Sequence, residues 1–450
     1  MPGRLLRLWF TLGDPVGPRE YLWSGLGLMV FKYVVDATVI WLVLHRFWSP
    51  VAYFIPSLVL RDPFLRKVPD WLLWAMVLWT LPFLWIGVTM TLRRAVDAGR
   101  SPWLCFLFFV PLVNYLLMLW LAFEPTRASG AWREREPVVT EQGWLGSAVL
   151  GILAGICASA ALLLFCLFVL RPYGVGLFVG VPFILGAVTA FCFNRDEPRE
   201  LSQTMHVVLA AICAVSGSLV LFAVEGLLCI AMALPLAVPL AALGGILGRC
   251  IALRTPGPAM HAWLLVLALP GLTGLQGTHL EPPLREVFST VEIQASPERV
   301  WQHVVAFSEL PAPPRWFFRL GIAYPQRASI DGHGVGAVRR CEFSTGAFVE
   351  PITAWEAPWR LAFDVASQPP PLGEWSPYRH VWAPPHDHYM RSRRGEFRLV
   401  PLPDGRTRLE GRTWYMLDMQ PALYWHLLGD WLIGHIHQRV LAHVKQLAEG

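Results

Sequence analysis

For about 275 residues this sequence hardly stops being apolar, and then it does. Stretches such as LLCIAMALPLAVPLAALGGIL (227–247) carry no charge at all. A bilayer core of roughly 30 Å takes a helix of about 20 apolar residues, so runs of this kind dictate a chain that crosses a membrane repeatedly. Runs of suitable length are 21–44, 71–92, 103–123, 148–170, 175–193, 207–224 and 227–247, and a shorter eighth, 259–275, contains Pro270 and Gly271. Seven or eight spans are expected, with eight preferred. Tryptophans near several run ends (Trp23, Trp41, Trp48, Trp71, Trp103) fit interfacial belts. The whole chain is 55% hydrophobic and 15% charged, against about 45–50% and 25% in soluble domains, and the surplus sits in this first part.

The net charge of +5 belongs there too. Residues 1–275 hold 19 Lys and Arg against 14 Asp and Glu, and residues 276–450 hold 18 of each. A balanced C-terminal part offers no basic face for nucleic acid, and none is expected as a partner. Seven of the eight cysteines lie before residue 275 without paired spacing and read as small buried hydrophobes. The single later one, Cys341, fits a reducing compartment. With eight spans, about seven Lys and Arg fall on the side of the termini and about eleven on the other. Taken alone, that balance would put both termini outside; with seven spans the C-terminal part would be inside. The lone cysteine favours a cytoplasmic C-terminal domain. The first 20 residues carry three arginines and no sustained apolar core, so no cleavable leader is expected.

The chain therefore divides into a membrane part at 1–123 (three spans), a second at 124–275 (four or five spans), a linker at 276–285, and a soluble domain at 286–450. The soluble part alternates like a sheet closed by a long helix. VFSTVEIQA (287–295) is a strand, and Ser296-Pro297 is a good start for a helix over SPERVWQHVVAF. Strands are expected near 324–331, 335–343, 347–356, 359–366, 395–402 and 407–416. The helix at about 420–448 carries Trp425, Leu428, Leu432, Ile436, Val440, Val444 and Leu447 as one apolar stripe.

Turn chemistry predicts the hairpin registers. A Thr345-Gly346 turn puts Phe343 opposite Phe348 and Cys341 opposite Glu350. An Ala357-Pro358 turn puts Ala354 opposite Leu361, Ile352 opposite Phe363, and Glu350 opposite Val365. A three-residue Pro-Asp-Gly loop puts Leu399 opposite Leu409, Phe397 opposite Gly411, Glu396 opposite Arg412, and Arg398 opposite Glu410. One face is then apolar, and its expected cavity-lining set is Arg339, Cys341, Phe343, Phe348, Glu350, Ile352, Leu361, Phe363, Val365, Phe397, Leu399, Leu409, Thr413 and Tyr415. GHGVG (332–336) falls between two strands with no helix behind it. A phosphate loop needs that helix, so these glycines are expected to make a turn or bulge.

The order strand, two short helical segments, antiparallel strands, long C-terminal helix resembles the START-like superfamily that includes polyketide cyclases and lipid-transfer proteins (SRPBCC). FSTGAFVEPITAW, GRTRLEGRTWY and IHQRVLAHVKQLAE carry the likeness. It implies an α+β helix-grip domain following the multi-span helical region, with a cavity for an apolar ligand between sheet and helix. TLRRAVDAGRSPWLCFLFFVPLVNYLLMLWLAF (91–123) resembles the bacterial inner-membrane family called domain of unknown function 805, over about residues 8–123. Arg93, Arg94, Asp97, Gly99, Arg100 and Ser101 match its motif, while Val96 stands where the family usually has His. The likeness implies a bacterial inner-membrane protein.

Glu350 is the most pointed candidate, a carboxylate on an apolar face whose pKa burial would raise. It is either a ligand anchor or acid-base group, or the partner of Arg339 in a structural ion pair. Cys341 points into the same face, which raises its pKa and argues against a nucleophile. His386 and His388, with His380, lie in a proline-rich stretch (368–390) that reads as a flap over the cavity; no metal or cofactor is expected. His435 and His437 read as surface or packing residues. In the first span, Lys32 and Asp36 at i, i+4 are expected to neutralise each other, with an ion relay as the other reading. Glu225-Gly226 reads as the turn between two spans. Arg93, Arg94, Asp97 and Arg100 are expected as a loop beside the membrane, held by lipid phosphates. The function expected is non-catalytic handling or sensing of a membrane lipid or other apolar small molecule. The alternatives are a membrane-bound cyclase- or hydrolase-like enzyme using Glu350, and a transporter with a regulatory soluble domain.

Overall fold

The structure is a computed structural model that describes residues 2–11, 14–50, 68–110, 112–127, 144–169, 174–254, 282–311, 315–373, 376 and 389–450. It divides into two compact units, residues 1–217 with 233–280, and residues 218–232 with 281–450.

In the first unit, helices α1 (Pro2–Phe10), α2 (Pro18–Leu44) and α3 (Asp70–Asp97) precede a 3-10 helix (Pro102–Phe109) and α4 (Val113–Phe123). Then follow α5 (Trp144–Val169), a π-helical turn (Gly176–Gly180) running into α6 (Val181–Asn194), α7 (Leu201–Leu221) and α8 (Leu227–Arg254). Among the described residues six helices are long and apolar enough to cross a membrane. The run at 103–123 is not one of them, which corrects the expected third span. It breaks at Leu112, whose φ is +68°, into the 3-10 helix and the 11-residue α4. The expected span at 259–275 lies outside the described residues, as does most of the linker.

Close backbone approach sets the packing of α6 on α5 and α8. A Cβ at Gly186 would sit 1.9 Å from the Ala241 carbonyl oxygen, and one at Gly248 would sit 2.0 Å from that of Ala187. Small residues at such crossings are what association in lipid uses.

The second unit holds a seven-stranded antiparallel sheet in the order β1-β7-β6-β5-β4-β3-β2. Its strands are β1 (Arg285–Ile293), β2 (Pro325–Asp331), β3 (Val338–Phe343), β4 (Gly346–Glu356), β5 (Arg360–Asp364), β6 (Met390–Pro401) and β7 (Thr407–Leu417). Helices α9 (Pro297–Val305) and α10 (Trp316–Arg319) lie between β1 and β2, and α11 (Ala422–Glu449) closes the chain. This is a helix-grip architecture. Ser296 and Pro297 start α9 as expected. The core joins Val300 and Val304 of α9, Ile352, Leu361, Leu399 and Leu409 of the sheet, and Val440 and Val444 of α11.

The β6–β7 register is as expected, with Leu399 opposite Leu409 and Glu396 opposite Arg412. The β3–β4 register is not. Cys341 faces Phe348, and Arg339 faces Glu350, because the turn is Ser344-Thr345, one residue earlier than expected. In β4–β5, Ile352 faces Phe363 as expected, but a bulge then sets Ala354 opposite Ala362 and Trp355 opposite Leu361. GHGVG makes a connection with positive φ at Gly332, Gly334 and Gly336, and the Gly336 N–H donates to the Ile352 carbonyl at 2.9 Å.

Candidate functional site

A cavity of about 140 Å³ lies between the sheet and α11. Its apolar wall comes from alternate positions of the strands: Cys341 and Phe343 on β3, Phe348 on β4, Phe363 on β5, and Phe397 on β6. The opposite wall is the inner face of α11 from Leu432 to Leu441, at helical spacing. Gly395 gives the floor its shape, since a Cβ there would sit 2.4 Å from the Phe363 ring. Residues 368–371, Gln-Pro-Pro-Pro, form a side wall. They are pinned at both edges. The Gln368 amide donates to the Met390 carbonyl (2.6 Å) and accepts from the Ser392 N–H (2.9 Å). The Thr345 hydroxyl donates to the Pro370 carbonyl (2.7 Å), and the Ala323 N–H to that of Pro371 (3.0 Å).

Of the expected lining set, Arg339, Cys341, Phe343, Phe348, Glu350, Phe363, Val365, Phe397 and Thr413 line this cavity. Ile352, Leu361, Leu399 and Leu409 do not. They lie further along the strands, where α9 and the end of α11 pack directly on the sheet and fill the space. Tyr415 does not either. It is fully buried, and its hydroxyl donates to Asp430 (2.6 Å), which also accepts from Arg285 (2.6 Å). That network ties β1 and β7 to α11. Gly429 leaves room for it, as a Cβ there would lie 2.9 Å from the Tyr415 oxygen.

The polar side chains of the cavity wall include one buried ion pair and one buried histidine. Arg339 and Glu350 face each other across the strand pair, are 2% and 6% exposed, and form an ion pair. Arg339 also donates to the Val305 carbonyl (3.2 Å), and its guanidinium lies 5.4–5.7 Å from the Phe307, Phe363 and Phe397 rings. Burial pushes the Glu350 carboxyl up, and the Arg339 charge pulls against it. Burial works to lower Arg339, but Glu350 more than restores it. Cys341 is pushed up to about 12, by burial first and the Glu350 charge second, so its thiol stays protonated. His437, expected at the surface or in packing, lines the cavity. Its Nε2 meets the Thr413 hydroxyl at 2.8 Å and its Nδ1 the Ser289 hydroxyl at 3.2 Å. Burial lowers it to about 4, so it is neutral at physiological pH. His380, His386 and His388 lie outside the described residues. No group of three or more metal-ligating side chains occurs among the described ones.

In the first unit Lys32 pairs with Asp36, which is 4% exposed, one turn along α2. Arg93, Arg94 and Asp97 belong to the last turns of α3 and are buried, which corrects their expected place in a lipid-facing loop. Arg93 donates to the carbonyls of Leu8 and Thr11, which α1 leaves free at its end. Arg94 does the same for Leu121 and Glu124 at the end of α4, and pairs with Asp97. Gly99 (φ +66°) ends α3: its N–H bonds Val96, and the Arg100 N–H bonds Ala95, the hydrogen-bond pattern of a Schellman cap. Arg100 pairs with Glu124. The motif thus joins three helix ends. Glu225 lies in the 222–226 connection between α7 and α8, as expected.

Residues 16–132 match a family described as protein of unknown function (DUF805). No curated protein matches the chain. Among solved structures, an aromatase/cyclase from Streptomyces sp. R1128 is 16% identical over 37% of this chain and 94% of its own, with a TM-score of 0.25. A protein from Nitrosospira multiformis is 17% identical over 36% and 94%, with a TM-score of 0.23. A truncated norcoclaurine synthase from Thalictrum flavum is 10% identical over 38% and 99%, with a TM-score of 0.24.

Proposed function

We propose that the C-terminal domain of this multi-pass membrane protein binds an apolar ligand between its sheet and α11, without chemistry, for lipid handling or sensing. The observation that carries this reading is the cavity itself, walled by Phe343, Phe348, Phe363 and Phe397 and by aliphatic residues of α11. Pockets of this kind, mostly apolar with a few placed polar groups, are where small molecules bind. The volume of about 140 Å³ suits one aromatic ring or a short length of hydrocarbon, since an engineered cavity of about 150 Å³ takes benzene.

The enzyme alternative has less support. A general acid or base needs its proton-transfer site free to meet the substrate, whereas the Glu350 carboxylate at the cavity wall is taken up in an ion pair with Arg339. The Cys341 thiol is no nucleophile at about 12. The ion relay through Lys32 and Asp36 is likewise less favoured, as the two charges meet each other. We place the domain on the cytoplasmic side of a bacterial inner membrane, which a reporter fused at Gly450 would test.

The deciding experiment is native mass spectrometry with organic extraction on the full-length protein. The expected result is a bound apolar molecule, or uptake of N-phenylnaphthylamine with enhanced fluorescence. Val365→Trp, which fills the cavity from a half-buried position, should abolish both without unfolding the protein. No extracted molecule and no probe uptake by the wild type would overturn the proposal.

A further inference from the structure

The compact unit that holds the sheet also includes residues 218–232, the end of α7, its turn, and the first turns of α8. Leu228, Cys229 and Met232 pack there with Phe317 and Phe318 of α10, Ile322, Leu372, and Leu432 and Ile436 of α11. The Tyr424 hydroxyl donates to the Met232 carbonyl. Three members of this cluster, Ile322, Leu432 and Ile436, also line the cavity. The cavity and the membrane-type segment therefore share one apolar rim.

Around that rim large apolar side chains stand in the open. Trp316 is 70% exposed on α10, and Leu427 and Trp431 are exposed on α11. Trp431 stacks on Phe317 at 4.8 Å, so it is held outward rather than left loose. Clustered exposed apolar side chains point to an interaction surface, and tryptophans are enriched where membrane meets water. The patch is continuous with Leu228 and Met232 of a helix apolar and long enough to span a bilayer, so its occupant is lipid rather than a soluble protein.

Resting on the binding reading above, we propose that the cavity opens into the bilayer between residues 228–232, α10 and α11, and that its ligand is an acyl chain of a membrane lipid. The chain enters past Ile322, Leu432 and Ile436 while its headgroup stays at the membrane surface. No transfer through water is needed.

The test uses the full-length protein in nanodiscs containing a phosphatidylcholine with a diazirine in one acyl chain, with adducts mapped by peptide mass spectrometry after irradiation. Adducts are expected on residues 338–350 and 431–441. They should fall at least tenfold in Ile436→Glu and in Leu228→Glu, which charge the rim from either side, while adducts on α2 are unchanged. Uptake of N-phenylnaphthylamine, measured in parallel, separates this inference from the binding reading. Uptake by the wild type without cavity adducts would overturn the bilayer opening and leave binding standing. Absence of both would overturn both. Undiminished adducts in the two rim variants would overturn the route.

Discussion

Glu350→Gln should be among the most damaging single changes in the soluble domain, although it keeps shape and removes only a charge. Arg339 is 2% exposed and pairs with the Glu350 carboxylate. Taking away one member of a buried pair leaves the other's desolvation uncompensated, at a cost of about 3–5 kcal/mol. The three phenyl rings and the Val305 carbonyl around Arg339 offset part of this, so the lower end is expected. For a domain of this size, about 3 kcal/mol lowers Tm by roughly 6–12 °C. Replacing both residues, Arg339→Met with Glu350→Leu, should be near neutral, because two well-packed apolar groups need no counter-charge. Hydrogen exchange of residues 338–356 along a temperature ramp, in the full-length protein in detergent, reads this domain and not the membrane helices. A single-variant cost below about 1 kcal/mol, or a double variant as unstable as the single ones, would refute the view of the pair as a closed structural unit.

Cys341 should resist N-ethylmaleimide at pH 8 in the folded protein, its thiol lying near 12 by burial first and Glu350 second; rapid labelling would contradict this. His437, lowered to about 4, binds its proton in the unfolded state near 6.5 but not in the folded one. Stability should therefore fall as pH drops from about 6.5 to 4, by at most roughly 3 kcal/mol. Comparing Tm at pH 7 and 4.5 for the wild type and His437→Gln isolates this contribution, and equal slopes would count against it. In the membrane region, Gly248→Leu drives a side chain into the Ala187 carbonyl 2.0 Å from its Cβ. Backbone cannot yield there, so a loss of about 3 kcal/mol, the upper end for overpacking, is expected, read as loss of a monodisperse peak in size-exclusion chromatography.

What was legible in the sequence followed from period and turn chemistry. The faces of the sheet were readable because alternation is set by the strand itself. That is why a register error of two residues in β3–β4 left Cys341, Phe343 and Phe348 on the inner face while mispairing them. The Arg339–Glu350 pair depended on that register, so the sequence left it as one of two readings. Where the cavity ends was not legible. Ile352 and Phe363 look alike as inward residues, and only the position of α9 and α11 makes one core and the other wall. His437 was missed for the same reason: its partners, Thr413 and Ser289, lie in strands distant in sequence. The run at 103–123 shows the limit of hydropathy, which measures composition and not continuity of a helix.

The size of the cavity and the position of its rim constrain each other. A pocket of about 140 Å³ holds only a fragment of any membrane lipid, because a ring-sized molecule already fills such a space. A cavity meant for a whole lipid would have to be several times larger. One meant for a small soluble metabolite would have no use for Trp316, Leu427 and Trp431 standing exposed on the helices beside its rim. A pocket that admits one chain end while the rest of the molecule stays in the bilayer accounts for both the small volume and the apolar rim. It also places selectivity in chain length and shape. Substitutions deep in the cavity, such as Gly411→Ala against Leu441 and Phe397 at 3.6 Å, should then shorten the chain that is bound. Rim changes should instead slow its exchange.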